Sequence, residues 1–232
     1  MDNLDKYYKT REEKPIWVIN NFPTLFESSK RILDIGCDKK QLSQYLKADQ
    51  SYVGMDVSEE ADIQHNLDGG SIPVDDKSFD LVIALDVLEH LEDIHFVFDE
   101  LCRVSSEYLL ISLPNNLQAV IGGYVLGKNN AKKQGPAYRL QHGKYTKFYG
   151  LPFNKPEDRH RWLFNADEAE EFIKFIAESN GFRVEKLIYE IDMQPFFKKI
   201  LLFIICGFSR RRMLNFFSGT IFMSLKKHEI HN

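Results

Sequence analysis

The stretch from Arg31 to Leu46, RILDIGCDKKQLSQYL, carries acids at Asp34 and Asp38 around a single glycine, Gly36, and another acid, Asp56, stands twenty residues after that glycine. A residue without a Cβ lets the backbone turn sharply and approach a ligand closely. An acid at this distance from it can accept hydrogen bonds from both hydroxyls of a ribose. The plainer alternative is a tight turn at Gly36 and an Asp56 that caps a helix with Ser58, and the pair at this spacing favours the ribose. The dinucleotide fingerprint G-x-G-x-x-G is not met, because Asp38 and Gln41 stand where its second and third glycines belong. A pyrophosphate wants bare amides at a helix N-terminus, and Asp38 would set a carboxylate beside it. The chemistry indicated is a cofactor with a ribose, no phosphate and a positive centre.

Such a loop must be held by strands and a helix. RILDIGC, SYVGMDV, ADIQHNLD, SFDLVIALD and EYLLISLP read as five short strands, mostly rich in Val, Ile and Leu. Between the first two, Leu42, Tyr45 and Leu46 share one face of a helical stretch. Between the fourth and fifth, Ile94, Val97, Phe98, Leu101 and Cys102 form the stripe of a helix lying on a sheet. This alternation predicts βαβ units and a parallel, doubly wound α/β sheet. After Pro114 the pattern dissolves into a Gly-, Asn- and Lys-rich stretch too long for a plain connection, which reads as a functional insertion or lid over 115–162. A helix resumes after Asn165, whose pairing with Glu168 has the form of a capping box. Ala169, Phe172, Ile173 and Ile176 form its buried stripe, and Asn180-Gly181 ends it. FRVEKLIYEI and GTIFMSLKK read as final strands around a basic and apolar segment, 194–217.

With 232 residues, 44% of them hydrophobic, the chain can bury a substantial core. The net charge is −4, yet from Lys198 onward there are seven Lys or Arg against one acid, so the remainder stands near −10. An acidic body with its basic residues at one end lacks a phosphate-tracking stripe, which argues against nucleic acid as partner. The three cysteines, Cys37, Cys102 and Cys206, have no CxxC pairing, so neither a disulfide framework nor a zinc site is expected. A reducing cytoplasm is the expected compartment. The charged N-terminus has no signal-peptide core, and the run from Ile200 to Phe208 is far short of the roughly 20 residues a spanning helix needs.

ILDIGCDKKQLSQYL, YVGMDVS, IPVDDKSFDLVIALDVLEHLED and YLLISLPNN, in this order across residues 31–116, resemble the successive motifs of class I S-adenosylmethionine-dependent methyltransferases. The last two strand-like runs are similar to the sixth and seventh strands of that fold. The resemblance implies a Rossmann-like sheet of order 3-2-1-4-5-7-6 with strand 7 antiparallel. It also implies one domain over 1–232 interrupted by the two insertions, and S-adenosyl-L-methionine as cofactor. By the same resemblance, Asp34, Gly36 and Cys37 border the methionine part of the cofactor. Asp56 and Val57 lie at the ribose, Leu67 and Asp68 at the adenine, and Ala84, Leu85 and Asp86 follow the fourth strand beside the methionine. Asp38 and Lys40 depart from the pattern, which usually has glycines there. Sugar-modifying members have loops of a similar form.

A methyl group on a sulfonium is already activated, so the protein must mainly align the acceptor and exclude water. A hydroxyl acceptor also needs a base. His90 in DVLEHLED, His160 in DRHRW and His142 in YRLQHGKY are the candidates. The plainer readings are a His90 that packs or caps the next helix and a His160 in a surface salt-bridge cluster anchored by Trp162. No metal site is expected, because His90 and His95 are five apart and point to different helical faces, whereas a zinc pair on a helix is spaced i, i+4.

The favoured reaction is O-methylation of a sugar or glycan-type acceptor. The rivals are a non-catalytic module that binds S-adenosylmethionine and a nicotinamide-dependent oxidoreductase. Segment 194–217 either packs on the sheet or on a second copy in a homodimer, or lies in the interface of the inner membrane face. In the last case a lipid-linked acceptor is implied.

Overall fold

The computed structural model describes residue 8 and residues 10–117, 160–191 and 209–228. Among these, seven strands form one sheet: β1 (Arg31–Ile35), β2 (Ser51–Asp56), β3 (Ile63–Gln64), β4 (Phe79–Leu85), β5 (Ser105–Pro114), β6 (Phe182–Ile191) and β7 (Ser218–Lys227). Their order is β3-β2-β1-β4-β5-β7-β6, parallel from β3 to β5, with β7 antiparallel to both of its neighbours. Order and strand directions are those expected. The winding direction switches between β1 and β4, so the crevice beyond their carboxyl ends is where this architecture receives ligands.

Successive strand residues point to opposite faces, and both faces are buried. Leu33, Ile35, Val82, Ala84, Leu109, Ile111 and Met223 join one core cluster, under α3 (Ile94–Val104) and α4 (Ala166–Ser179). Ile32, Leu81, Ile83, Leu110 and Phe222 join the other, under α1 (Lys14–Asn21) and α2 (Pro23–Ser28). In α3 the expected stripe of Ile94, Val97, Phe98, Leu101 and Cys102 is buried, and Asp93 caps it by accepting from the Phe96 N–H. In α4 both halves of the Asn165–Glu168 capping box are formed, and Gly181, at φ +73°, turns the chain out of the helix into β6. The N-terminal pair α1 and α2 was not legible as periodicity. It is broken at Phe22 by the start of a new helix at Pro23, and it buries Trp17, Val18, Leu25 and Phe26.

The helix expected after β1 is a single 3₁₀ turn, Gln41–Tyr45, in which Leu42 is buried but Tyr45 is exposed. Its start explains the difference: Lys40 is left-handed and supplies no cap bond, so no longer helix is nucleated. Of the insertion at 115–162, only its two ends, 115–117 and 160–162, lie within the described residues. Of 194–217, residues 209–217 do, and they include α5 (Arg210–Phe217), which runs directly into β7.

Candidate active site

At the carboxyl end of β1 the chain turns at Gly36, φ +71°, whose N–H donates to the Met55 carbonyl at 2.8 Å. A Cβ there would stand 2.4 Å from Val87 Cγ2, so the position is closed to side chains by space as well as by conformation. Asp38 (φ 45°) and Lys40 (φ 53°) are also left-handed. The loop therefore keeps a glycine-type path at both positions without glycine, at about 1–2 kcal/mol for a residue such as Lys and less for Asp. Cys37 packs against Gly54, where an added Cβ would meet its sulfur at 2.7 Å. Burial, with Asp34, Asp56 and Asp62 nearby, pushes its thiol up to about 12, which leaves it protonated and unreactive.

Three acids rim the crevice. Asp34, 8% exposed, accepts a 2.7 Å hydrogen bond from the Tyr52 hydroxyl. Burial pushes its carboxyl up to about 6, opposed by Tyr52 and Lys14 and assisted by Asp56. Asp56 ends β2 and accepts from the Asp38 N–H at 3.1 Å and the Ser58 N–H at 3.0 Å. The local turn with Ser58 is thus present, and a tie to the first loop stands beside it. Each carboxylate oxygen still has a lone pair for another donor. Asp86 is left-handed at φ 57° and accepts from Ser112 at 2.8 Å and from Lys14 at 2.7 Å. Desolvation would raise its pKa, but Lys14 and Ser112 outweigh this and hold it below the usual carboxylate value. Val57 is 66% exposed beside Asp56, an apolar face open to a flat ring. Leu67 is buried in the core, and Asp68 accepts from the Glu92 N–H at 2.9 Å. Ala84 is wholly buried, so its side chain faces the core, and Leu85 packs against the cluster under α1.

Beyond Asp86 the chain makes a short turn, Leu88–His90, onto which the end of the insertion is clamped. The Arg161 N–H donates to the Glu89 carbonyl at 2.8 Å, its guanidinium to the His90 carbonyl at 2.8 Å and to Glu92 at 2.6 Å. The Trp162 indole donates to the Leu91 carbonyl, and Asn116 at the end of β5 donates to the Trp162 carbonyl. This clamp brings His160 against His90, seventy residues away in sequence, with ring centroids 4.5 Å apart in an edge-to-face arrangement. Both imidazole Nε2 atoms lie 3.8 Å from Oε1 of Glu89, whose side chain is 1% exposed. His142 lies outside the described residues. His95 points away and packs edge-on against Phe172.

A family model described as a methyltransferase domain matches residues 7–187, which is most of the chain. The chain belongs to this methyltransferase family. It is an S-adenosylmethionine-dependent methyltransferase, which removes the nicotinamide oxidoreductase from consideration. Solved structures share its fold. An S-adenosylmethionine-dependent methyltransferase from Archaeoglobus fulgidus is 19% identical, with 96% of this chain and 97% of that one covered at a TM-score of 0.56. The methyltransferase domain of the bacterial protein CtHen1 is 16% identical, covering 94% and 100% at 0.53. The [4+2]-cyclase SpnF is 14% identical, covering 93% and 80% at 0.52, so the fold by itself does not fix the reaction. No curated protein matches the sequence.

Several residues at the methyltransferase crevice gave no signal in the sequence. Lys14 and Tyr8 arrive from the N-terminal segment, with the Tyr8 ring against Trp17 and Phe222. Tyr52 and Ser112 look like ordinary strand residues until their partners, Asp34 and Asp86, are seen. Glu89 was visible as an acid in DVLEHLED, but only the fold turns it toward two imidazoles.

Proposed function

We propose that the methyltransferase transfers the methyl group of S-adenosylmethionine to a hydroxyl of a sugar or glycan-type acceptor. The cofactor supplies a methyl on a positively charged sulfur, and the residues at the crevice fit such a group. Gly36 gives close backbone approach, Asp56 faces the ribose, and Val57, Leu67 and Asp68 border the adenine. Asp34, Asp86 and the backbone around Cys37, Ala84 and Leu85 offer negative charge and acceptors to the cationic methionine end. A cation without phosphates suits a rim of carboxylates, as a pyrophosphate would not.

The convergence of Glu89, His90 and His160 carries the acceptor assignment. A neutral amine or a thiolate can attack a sulfonium without much help. A hydroxyl needs its proton taken, and two imidazoles facing a buried carboxylate three residues beyond Asp86 are suited to take it. Arg161, Glu92 and Asp68 add the polar groups that a hydroxyl-rich ligand would meet.

The basic segment from Lys198 extends this reading to a lipid-linked acceptor held at a membrane surface. No helix among the described residues is long and apolar enough to cross a membrane. Arg211 in α5 pairs with Glu171 of α4 at 3.4 Å, and both side chains are largely exposed.

Incubation with isotopically labelled S-adenosylmethionine and a panel of free sugars, nucleotide sugars and lipid-linked glycans tests the assignment. An O-methyl ether located by mass spectrometry and NMR is expected. A methyl group on nitrogen, carbon or a carboxylate would overturn it. For the membrane step, co-sedimentation with anionic vesicles should fall at high salt and when Arg210, Arg211 and Arg212 are replaced by Gln. A protein that stays in the supernatant at low salt removes that step and leaves the reaction.

A further inference from the structure

We infer that Glu89, His90 and His160 form a binding site for one divalent transition-metal or zinc ion. One ligand atom from each, a carboxylate oxygen and two imidazole nitrogens, lies within 4.8 Å of the other two. The expectation of no metal rested on His90 and His95, which diverge; the fold instead pairs His90 with His160.

Both Nε2 atoms lie 3.8 Å from Oε1 of Glu89, whose side chain is 1% exposed, and the two rings stand edge to face with centroids 4.5 Å apart. Two imidazoles and a carboxylate are the ligand set of an open three-ligand site, suited to zinc, manganese, iron or cobalt and less to calcium or magnesium.

Donors at about 2.1 Å from an ion stand about 3.0–3.4 Å from one another. The separations seen are wider, so closure needs movements of a few tenths of an ångström to about one ångström, within reach of side-chain torsions. The framework behind the ligands is tied down. Glu89 and His90 present their carbonyls to Arg161, and Trp162 fixes the neighbouring Leu91 carbonyl, so the turn and the His160 segment move as one piece. The His160 side chain is 5% and the His90 side chain 22% exposed, so the cluster meets solvent mainly through His90.

What the ion would do rests on the hydroxyl-acceptor reading; the ion site does not. With the ion bound the two rings would ligate it instead of taking the proton, and an acceptor hydroxyl at an open coordination position would lose its proton to water more readily. As the new O–C bond forms, the S–C bond breaks and its electron pair stays on the neutral thioether.

The test reads binding directly. Full-length protein dialysed against chelator is titrated with Co²⁺, followed by visible absorption, and with Zn²⁺ by calorimetry. One equivalent of each should bind, with cobalt bands characteristic of nitrogen and oxygen ligation. His160→Ala and His90→Ala should each weaken binding by at least about 100-fold, while His95→Ala leaves it unchanged. Wild-type protein that binds neither ion, or binding that survives both single variants, overturns the site; neither outcome depends on whether Glu89 can be replaced without unfolding. Ion binding without transfer to any hydroxyl acceptor would retain the site and discard the acceptor reading. Chelator-resistant transfer to a hydroxyl with no ion bound would keep the acceptor reading and remove the ion from the reaction, leaving the binding titration to decide the site.

Discussion

The two ends of the sheet use the same side chains differently. At the end where β1 and β4 begin, Asp80 accepts from the Lys30 and Arg31 N–H groups and from the Arg31 guanidinium. Glu100 accepts from the Ile72 N–H at 2.8 Å and from two nitrogens of Arg103, which also reaches the Ile72 and Val74 carbonyls. Arginine and backbone donors hold both carboxyls below their ordinary values; for Asp80 this wins over the opposing desolvation. At the opposite end, where β1, β2 and β4 finish, Asp34, Asp56 and Asp86 meet a phenol, backbone N–H groups, a serine and a lysine from a separate helix, and no arginine guanidinium appears among the bonds described for them. Bidentate arginine partners fill a carboxylate's acceptor sites and fix it. Single, separable donors leave capacity for a ligand. Under the proposed function, the first set of acids holds the fold and the second serves the cofactor.

The largest effect should come from the ligand end. His160→Ala is expected to lower turnover by about 10² to 10⁴ with cofactor affinity unchanged. Steady-state kinetics beside calorimetry with S-adenosylmethionine would check it, and a changed acceptor KM with intact turnover would make His160 a positioning residue. Asp56→Ala should weaken cofactor binding by roughly 1.5–3 kcal/mol, the range for a hydrogen bond to a charged group. Its melting temperature should barely change. The mirror experiment is Arg103→Met. Leaving Glu100 buried without its guanidinium should destabilise the fold by about 2 kcal/mol, below the 3–5 of a fully buried pair because Arg103 is partly exposed, while cofactor affinity is retained. If Arg103→Met weakens cofactor binding as much as Asp56→Ala does, the contrast between the two ends is lost.

Asp34 gives a pH test of intermediate size. Its folded value, about 6, lies above its ordinary 3.8, so the folded protein holds more protons between those limits and stability falls as pH rises through them. Asp34→Asn should therefore stabilise the protein well above pH 6 by up to about 3 kcal/mol and have little effect below pH 3, read by urea denaturation at each pH. A cationic ligand placed beside Asp34 would draw its proton off. Calorimetry near pH 6 in buffers of different ionisation enthalpy should then show proton release on S-adenosylmethionine binding, and Asp34→Asn should abolish it. The smallest effect is at the first loop. Lys40→Gly relieves a left-handed lysine and loses a partly exposed pair with Asp62, for a net gain of a few tenths to about 1 kcal/mol. Asp38→Gly should leave cofactor affinity intact or better.

Local patterns determined much of this protein. The strand runs and the stripes of α3 and α4 are periodic signals within a few residues of themselves. The spacing from Gly36 to Asp56 reports the loop and the acid because one strand–turn–strand unit sets both. Sequence also registered that Asp38 and Lys40 are unusual, but only their φ angles reveal that the glycine path is kept. The 3₁₀ turn after β1 went unread because its brevity depends on Lys40 being left-handed, a property that no hydrophobic pattern records. Helices α1 and α2 went unread because they are short and split at Pro23. What tertiary structure alone decided are the contacts across large separations: Lys14 with Asp86, Tyr52 with Asp34, and above all His160 with Glu89 and His90. These partners share no local period and come together because the sheet order brings β1 beside β4 and the Arg161–Trp162 clamp docks a distant segment on the turn after β4. A residue type can announce what chemistry it could do, but which partner it meets is fixed by how the layers pack.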